Sequence, residues 1–252
     1  MYHMIRRLMK TRFYVPGSRP TGGFTLIELL LGLAIFAIVA VCVYSTFSSG
    51  IKLSDKAEQH NEVYQEARMA LNLMANDLEN MANYNFSNSY KDKAAFIGDQ
   101  KKITFLRGTQ KGLRAISYYL VSSQSEHVHQ LLRGGTSTKN VAVTLRSEER
   151  ANAQYLIREE MDFKEHLADG MEKGTEGEII SANVQEGGLN FSFAYLENEE
   201  SRNVVWKKEW SHKDIPFGVR IELNFLTPQA KTESLALVRR VLIPHGFLGE
   251  QP

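Results

Sequence analysis

From Phe24 to Phe47 the chain runs 24 residues with a single charge, Glu28, and no proline. Few features constrain a fold more. A helix of this length, rising about 1.5 Å per residue, spans the hydrocarbon core of a bilayer, which needs roughly 20 residues. A helix that is apolar on every side has no polar face to turn to water, so it needs a membrane or other helices around it. Gly32 is tolerated in such a helix and permits close approach of a neighbour. Glu28 is the exception that needs a reason. A carboxylate at that depth costs roughly 2.5–3.5 kcal/mol on insertion scales, so it is expected to have a partner. The natural partner is a positive charge brought to the same depth by another subunit.

The segment before the apolar run is basic. Arg6, Arg7, Lys10, Arg12 and Arg19 stand there with no acid. Positive charge on that side keeps the N-terminus cytoplasmic and sends the C-terminal bulk across the membrane. Five of the 30 Lys and Arg lie in this leader and none of the 29 Asp and Glu, so the remainder carries four more acids than bases. A secretory signal peptide would have a shorter apolar core ending at a small-residue cleavage site. Here Gly22-Gly23 comes before the core, and a cut there leaves the anchor attached. The single cysteine, Cys42, lies inside the apolar run, so no internal disulfide can form. It is expected to be a buried apolar residue.

Gly23-Phe24-Thr25-Leu26-Ile27-Glu28 resembles the processing site of type IV prepilins and pseudopilins. The resemblance implies that a membrane prepilin peptidase cuts after Gly23 and methylates the new amine of Phe24. It implies further that Glu28, fifth in the mature chain, neutralises the N-terminal amine of a neighbouring subunit. Major pilins often carry a proline near mature position 22. Serine stands there in this chain, at Ser45, and an unbroken helix is expected.

Beyond Ile51 the pattern becomes amphipathic. Tyr64, Ala67, Leu71, Met74, Leu78 and Met81 recur at steps of three and four, the spacing of one helix face. Arg68, Asn72, Asn76, Asp77 and Glu79 are expected mostly on the other faces. One helix is therefore expected from about Thr25 to about Asn80, its first half an anchor and its second half the spine of a domain. After an Asn/Ser-rich loop at 83–88 the period becomes two. Residues 102–107 and 113–120 alternate and read as a hairpin joined through Gly108 to Gly112. Weaker strands are expected at 127–132 and 141–145, and residues 155–163 are mixed. The charged, glycine-rich stretch 169–178 reads as an exposed loop. Clear strands follow at 189–196, 204–210, 217–226 and 235–243. A helix followed by many strands implies an α+β fold, a long N-terminal helix packed on antiparallel sheet. The expected division is a leader at 1–23, a membrane or filament-core helix at 24–50, and a head at 51–252 that includes the amphipathic half of the helix at 51–83.

Several head segments are similar to J-type minor pseudopilins of type II secretion. They are RMALNLMANDL from Arg68, ITFLRGTQKGLRAISYYL from Ile103, and GGLNFSFAYL from Gly187. VVWKKEW, IPFGVRIELNF and a closing strand with Arg239-Arg240 follow in the same order. The resemblance implies a type IV pilin-like head in the periplasm, anchored by one pass in the inner membrane and later incorporated near the tip of a pseudopilus. The implied partners are the I- and K-type minor pseudopilins, the major pseudopilin, prepilin peptidase and the inner-membrane secretion platform.

Other chemistries have little support. His127 and His129 would share a strand face, but no third ligand stands at a recognisable spacing. Asp55, Glu58 and His60 are scattered around their helix and read as a solvated face. The C-terminal stretch has no oxygen-rich calcium loop. No metal and no cofactor are expected. Phosphate loops, nucleophile elbows and dinucleotide fingerprints are missing, so no enzyme activity is expected. Basic residues are dispersed, which argues against nucleic-acid binding. Gly134-Gly135 and Gly187-Gly188 read as turns. Trp206, Trp210, Tyr118, Tyr119, Phe191, Phe193 and Tyr195 are expected in the core, with a subunit-contact patch as the alternative. Two other functions stay open at this point. One is a minor pilin of a type IV pilus or DNA-uptake pseudopilus, and the other is a signal-anchored binding or enzyme domain.

Overall fold

The expected helix is continuous in the computed structural model, which describes residues 23–84, 86, 94–126, 128, 131, 153–167, 176–196, 203–227 and 234–244. Helix α1 is Leu26–Glu79, 54 residues. The chain divides into two compact units between Lys52 and Leu53, and α1 contributes to both. Within its apolar half, Thr46 and Ser49 return their hydroxyls to the carbonyls of Cys42 and Ser45, at 2.9 and 2.8 Å. Each hydroxyl is thereby satisfied inside the helix and needs no water.

The second half of α1 belongs to the head. Val63, Ala67, Ala70, Leu71, Met74, Ala75 and Leu78 are buried there, the stripe read from the sequence shifted by one flank. Tyr64, expected in the stripe, is exposed, its place taken by Val63, and Met81 lies beyond the helix, buried and bridged to Arg107. The expectation fails for Asp77. It is fully buried on the apolar face, and Glu66 is nearly so.

The sheet follows in eight strands, β1 (Phe96–Gly98), β2 (Lys102–Thr109), β3 (Gly112–Ser122), β4 (Ala153–Asp162), β5 (Glu176–Leu196), β6 (Val204–Lys207), β7 (Gly218–Leu226) and β8 (Ser234–Leu242), with a short helix α2 (Phe163–Leu167) after β4. Among the described residues all strand pairings are antiparallel, in the order β1-β2-β3-β4-β5-β7-β8, with β6 also on β5. This is the expected α+β arrangement, consistent with a type IV pilin-like fold. The β2–β3 hairpin is tighter than expected, because Thr109 pairs directly with Gly112 and Gly112 takes a positive φ of 106°. That backbone conformation favours glycine.

The inner sheet face and the α1 stripe form one core. Phe96, Phe105, Tyr118, Phe191, Phe193, Phe225 and Trp210 are almost fully buried in it or beside it, together with Met74 and Leu78. Trp206, Tyr119 and Tyr195 are not: Trp206 is exposed, and the other two are half-buried.

Several strand readings need correction. Val128 and Leu131 are helical where a weak strand was expected at 127–132. The mixed stretch at 155–163 is the strand β4. Residues 176–178, read as loop, already belong to β5, which runs for 21 residues. Gly187-Gly188 is a bulge within β5 and not a turn between strands: the register to β7 shifts between Val184 and Leu189. Gly187 has φ 65°, and a Cβ on Gly188 would come within 2.7 Å of the Asn224 carbonyl oxygen. Period counting cannot see a bulge, because the extra residue breaks the alternation without ending the strand. The stretch 204–210 stops pairing at Lys207, and Trp210 makes a separate bridge to Gly98. The expected strand at 141–145, the Gly134-Gly135 turn and the His127/His129 pair lie outside the described residues.

Candidate processing and assembly site

The chain enters α1 through Gly23, Phe24 and Thr25, none of them helical. Thr25 is the helix N-cap. Its carbonyl accepts the Leu29 N–H at 3.2 Å, and its hydroxyl accepts the Glu28 N–H at 3.3 Å. Glu28 answers in the reverse direction: Oε2 accepts the Thr25 N–H and the Thr25 hydroxyl, both at 3.0 Å. This is a capping box, in which a threonine and a carboxylate three residues later satisfy each other's end of the helix. The sequence reading passed over Thr25. The signal was present, because Thr-x-x-Glu before an apolar run is a helix-start pattern.

The capping box changes what Glu28 can do. All its hydrogen bonds among the described residues fall on Oε2. Oε1 is left for a donor from outside the chain. Glu28 is exposed, as are Phe24 and Leu26. The carboxylate is therefore oriented by its own helix and open on one oxygen.

Gly23 makes no demand on the fold. A Cβ there would meet no atom within 4 Å, and its φ lies outside the left-handed range. Phe24 follows it at 89% exposure, so neither side of the Gly23–Phe24 bond is held by the chain's own packing. A glycine that the fold does not need is one that something outside the fold can require.

From Leu26 to Phe47 the large apolar side chains, among them Leu30, Ile35, Phe36 and Val41, are all more than half exposed. Helix α1 is long and apolar enough to cross a membrane, and none of its most apolar 18-residue window is buried by the protein. Cys42 is exposed on it, not buried as expected. Asp55, Glu58 and His60 are exposed on the same helix.

The head contains two buried polar constellations that pattern reading missed. Asp77 is fully buried, and its Oδ2 accepts the Tyr118 hydroxyl at 2.7 Å and Arg158 Nε at 2.8 Å. Its Oδ1 is held by Arg107. Arg158 continues to Glu160 at 3.0 Å, and Arg114 Nε donates to the other oxygen of Glu160 at 3.0 Å. Burial pushes Glu160 up, but Arg158 and Arg114 outweigh it and hold Glu160 below the ordinary carboxylate range. Tyr118 is raised well above its usual value, by burial first and by Asp77 second. The second constellation is Glu66, 4% exposed. It accepts Asn183 Nδ2 at 2.7 Å and the Ala182 N–H at 3.2 Å, both from β5. Burial raises its pKa, and the hydrogen bonds from Ser181, Asn183 and Ala182 offset only part of the rise. These groups are interior joints between helix and sheet. Among the described residues no cluster of three His, Cys, Asp or Glu side chains could hold a metal ion.

Residues 18–44 match the family model for the prokaryotic N-terminal methylation motif. The match covers Gly23, Phe24, Glu28 and most of the exposed apolar helix. The chain thus carries the signal of type IV pilin-like proteins, which implies processing by prepilin peptidase and assembly with other pilin-like subunits. No curated protein and no solved structure matches the chain.

Proposed function

We propose that the chain is a minor pseudopilin of a type II secretion system, of the J type. On this reading it waits in the inner membrane with its head in the periplasm. After cleavage and methylation it joins the I- and K-type pseudopilins and helps to initiate a short pseudopilus. It is an assembly protein and not a catalyst, and the energy comes from a separate ATPase. The observation that carries the assembly role is Glu28, capped through Oε2 by Thr25 and open at Oε1. A neighbour's methylated N-terminal amine placed there would donate a charge-assisted hydrogen bond to the free oxygen. The J assignment rests on the head segments named above and on their order along the chain.

The first test is the mature N-terminus. Mass spectrometry should find N-methylated Phe24, and Gly23→Val should leave an unprocessed precursor in the membrane. A mature chain that retains Arg19 sinks the reading. Glu28→Leu should be inserted stably, since it removes a costly charge from an apolar helix. It should nevertheless lose co-purification with partner pseudopilins and reduce secretion. Unchanged assembly would refute the pairing role of Glu28.

A further inference from the structure

The two ends of the sheet are finished differently. At one end β1 has only three residues, and its outer edge is closed. Gly98 and Trp210 exchange both backbone hydrogen bonds, at 3.0 and 2.7 Å, and the Gln100 carbonyl accepts the Phe191 N–H at 3.0 Å. At the other end β8 has nine residues in unbroken register with β7, and among the described residues no strand pairs with its far side.

The backbone of that far side can be read from one bond. The Ile243 N–H donates to the Phe217 carbonyl at 3.0 Å, next to the Gly218↔Leu242 pair. Hydrogen-bonded pairs alternate with non-bonded pairs in an antiparallel ladder. Val241, Arg239, Leu237 and Leu235 therefore bond to β7. Leu242, Arg240, Val238 and Ala236 turn their N–H and C=O groups away from the sheet. The same four residues are exposed, Val238 at 54% and Leu242 at 65%. Natural edges are usually kept short, bulged or covered, because an open regular edge is a template for another strand. This sheet follows that rule at β1 and departs from it at β8.

Charge narrows the occupant. β8 reads SLALVRRVL, with two arginines and no acid. Arg239 reaches Asn72 on α1 at 3.3 Å, and Arg240 has no ion pair among the described residues. In the register with β7, Arg240 stands directly opposite Arg220, whose charge is offset by Glu222 alone. Like charges facing across a ladder are destabilising, and a second copy of β8 brings no acid to relieve them. A strand that carries acidic residues meets no such penalty.

We propose that β8 is a docking edge for the acid-bearing edge strand of a different pilin-like subunit, which extends the sheet by one antiparallel strand. Ala236, Val238, Arg240 and Leu242 supply the ladder groups, Val238 and Leu242 supply apolar contact, and Arg240 selects for acid. The proposal rests on the assembly reading above, since it takes the partner from the same class of subunits.

The test uses the full chain in its native membrane with a photo-reactive p-benzoylphenylalanine in place of Leu242, and in a parallel strain in place of Leu30 on the anchor helix. Cross-linked peptides are identified by mass spectrometry. Position 242 should capture a head peptide, containing Asp or Glu, from another protein with an N-terminal methylation motif. Val238→Pro removes one outward N–H without touching the ladder to β7, because proline is tolerated on an edge. It should lower the yield at 242 by about tenfold, since the lost bond also strands the partner's acceptor, and it should leave the yield at 30 unchanged. Arg240→Glu should lower the yield at 242 as well, and it carries the test if Val238→Pro misfolds. Capture of a second copy of this chain, of its own residues 245–252, of a protein without the motif, or of nothing while position 30 still reports neighbours would each overturn the docking edge. Indifference to both substitutions would do the same. Silence at both positions would instead count against assembly itself.

Discussion

Glu66 and Asp77 are two carboxylates on one face of one helix, and the head treats them differently. Eleven residues separate them, about three turns and about 16 Å along the axis. Both are buried among apolar neighbours. Asp77 meets two guanidinium groups and a phenol, drawn from β2, β3 and β4. Glu66 meets no cation there, only neutral donors from β5: the Ala182 N–H, the Asn183 amide and the Ser181 hydroxyl. Burial of a charge is tolerable when a counter-charge and hydrogen bonds replace water, and it shifts the pKa when they do not. The helix is thus fastened near its C-terminal end by ionic pairing and about three turns earlier by hydrogen bonds to a carboxyl group whose pKa burial raises. Of two buried carboxyls joining one helix to the sheet, Asp77 acts as a charge between two guanidinium groups, and Glu66 is held by hydrogen bonds with no counter-charge beside it.

The contrast is tested most strongly at Asp77. Asp77→Asn should cost about 3–5 kcal/mol, because it leaves Arg107 and Arg158 in the interior without their shared anion. Denaturant melts of a soluble chain beginning at Ile51 would measure it. A loss below about 1 kcal/mol, the scale of an exposed ion pair, would make the constellation a surface pair in effect and erase the contrast. Tyr118→Phe should cost less, about 1.5–3 kcal/mol, since it removes one hydrogen bond to a charged group and leaves both arginines paired. If its effect equals that of Asp77→Asn, the phenol and not the guanidinium groups dominates.

The smallest effect, and the sharpest in sign, belongs to Glu66. Its folded pKa is raised above the reference value of 4.5. The folded state therefore keeps a proton that the unfolded chain has released. The contribution to stability is full below the unfolded pKa and is lost as pH rises through the folded pKa. Glu66→Gln should remove that slope, so melts in a series from pH 4 to pH 8 should show the variant gaining on the parent as pH rises. Glu160 has the opposite sign, because its lowered pKa gives stability that is lost on acidification. A Glu66→Gln variant weakened equally at every pH would show that the Glu66 charge is compensated after all.

The membrane-length apolar helix, the methylation motif and the helical stripe were legible because each is written in neighbouring residues. Apolar side chains at consecutive positions mark a membrane helix, and apolar side chains at steps of three and four mark a buried face. The β2–β3 hairpin was legible for the same reason, since alternation and turn glycines are local. Even Thr25 was within reach of a closer reading, three residues from Glu28. Asp77 and Glu66 were not. A polar letter inside a helix reads as outward-facing, and what reverses that reading lies 30 to 117 residues away, at Arg107, Tyr118, Arg158 and Asn183. The bulge at Gly187-Gly188, the bridge from β1 to Trp210 and the far side of β8, unpaired among the described residues, are also facts of pairing between distant strands. Local sequence is enough to read a membrane-length apolar run with a single charge, a methylation motif at its start and an α+β head behind it. Which carboxylates are ion-paired, and which sheet edge has no neighbouring strand among the described residues, follow from the fold alone, because both depend on which distant residues share one interior and one ladder.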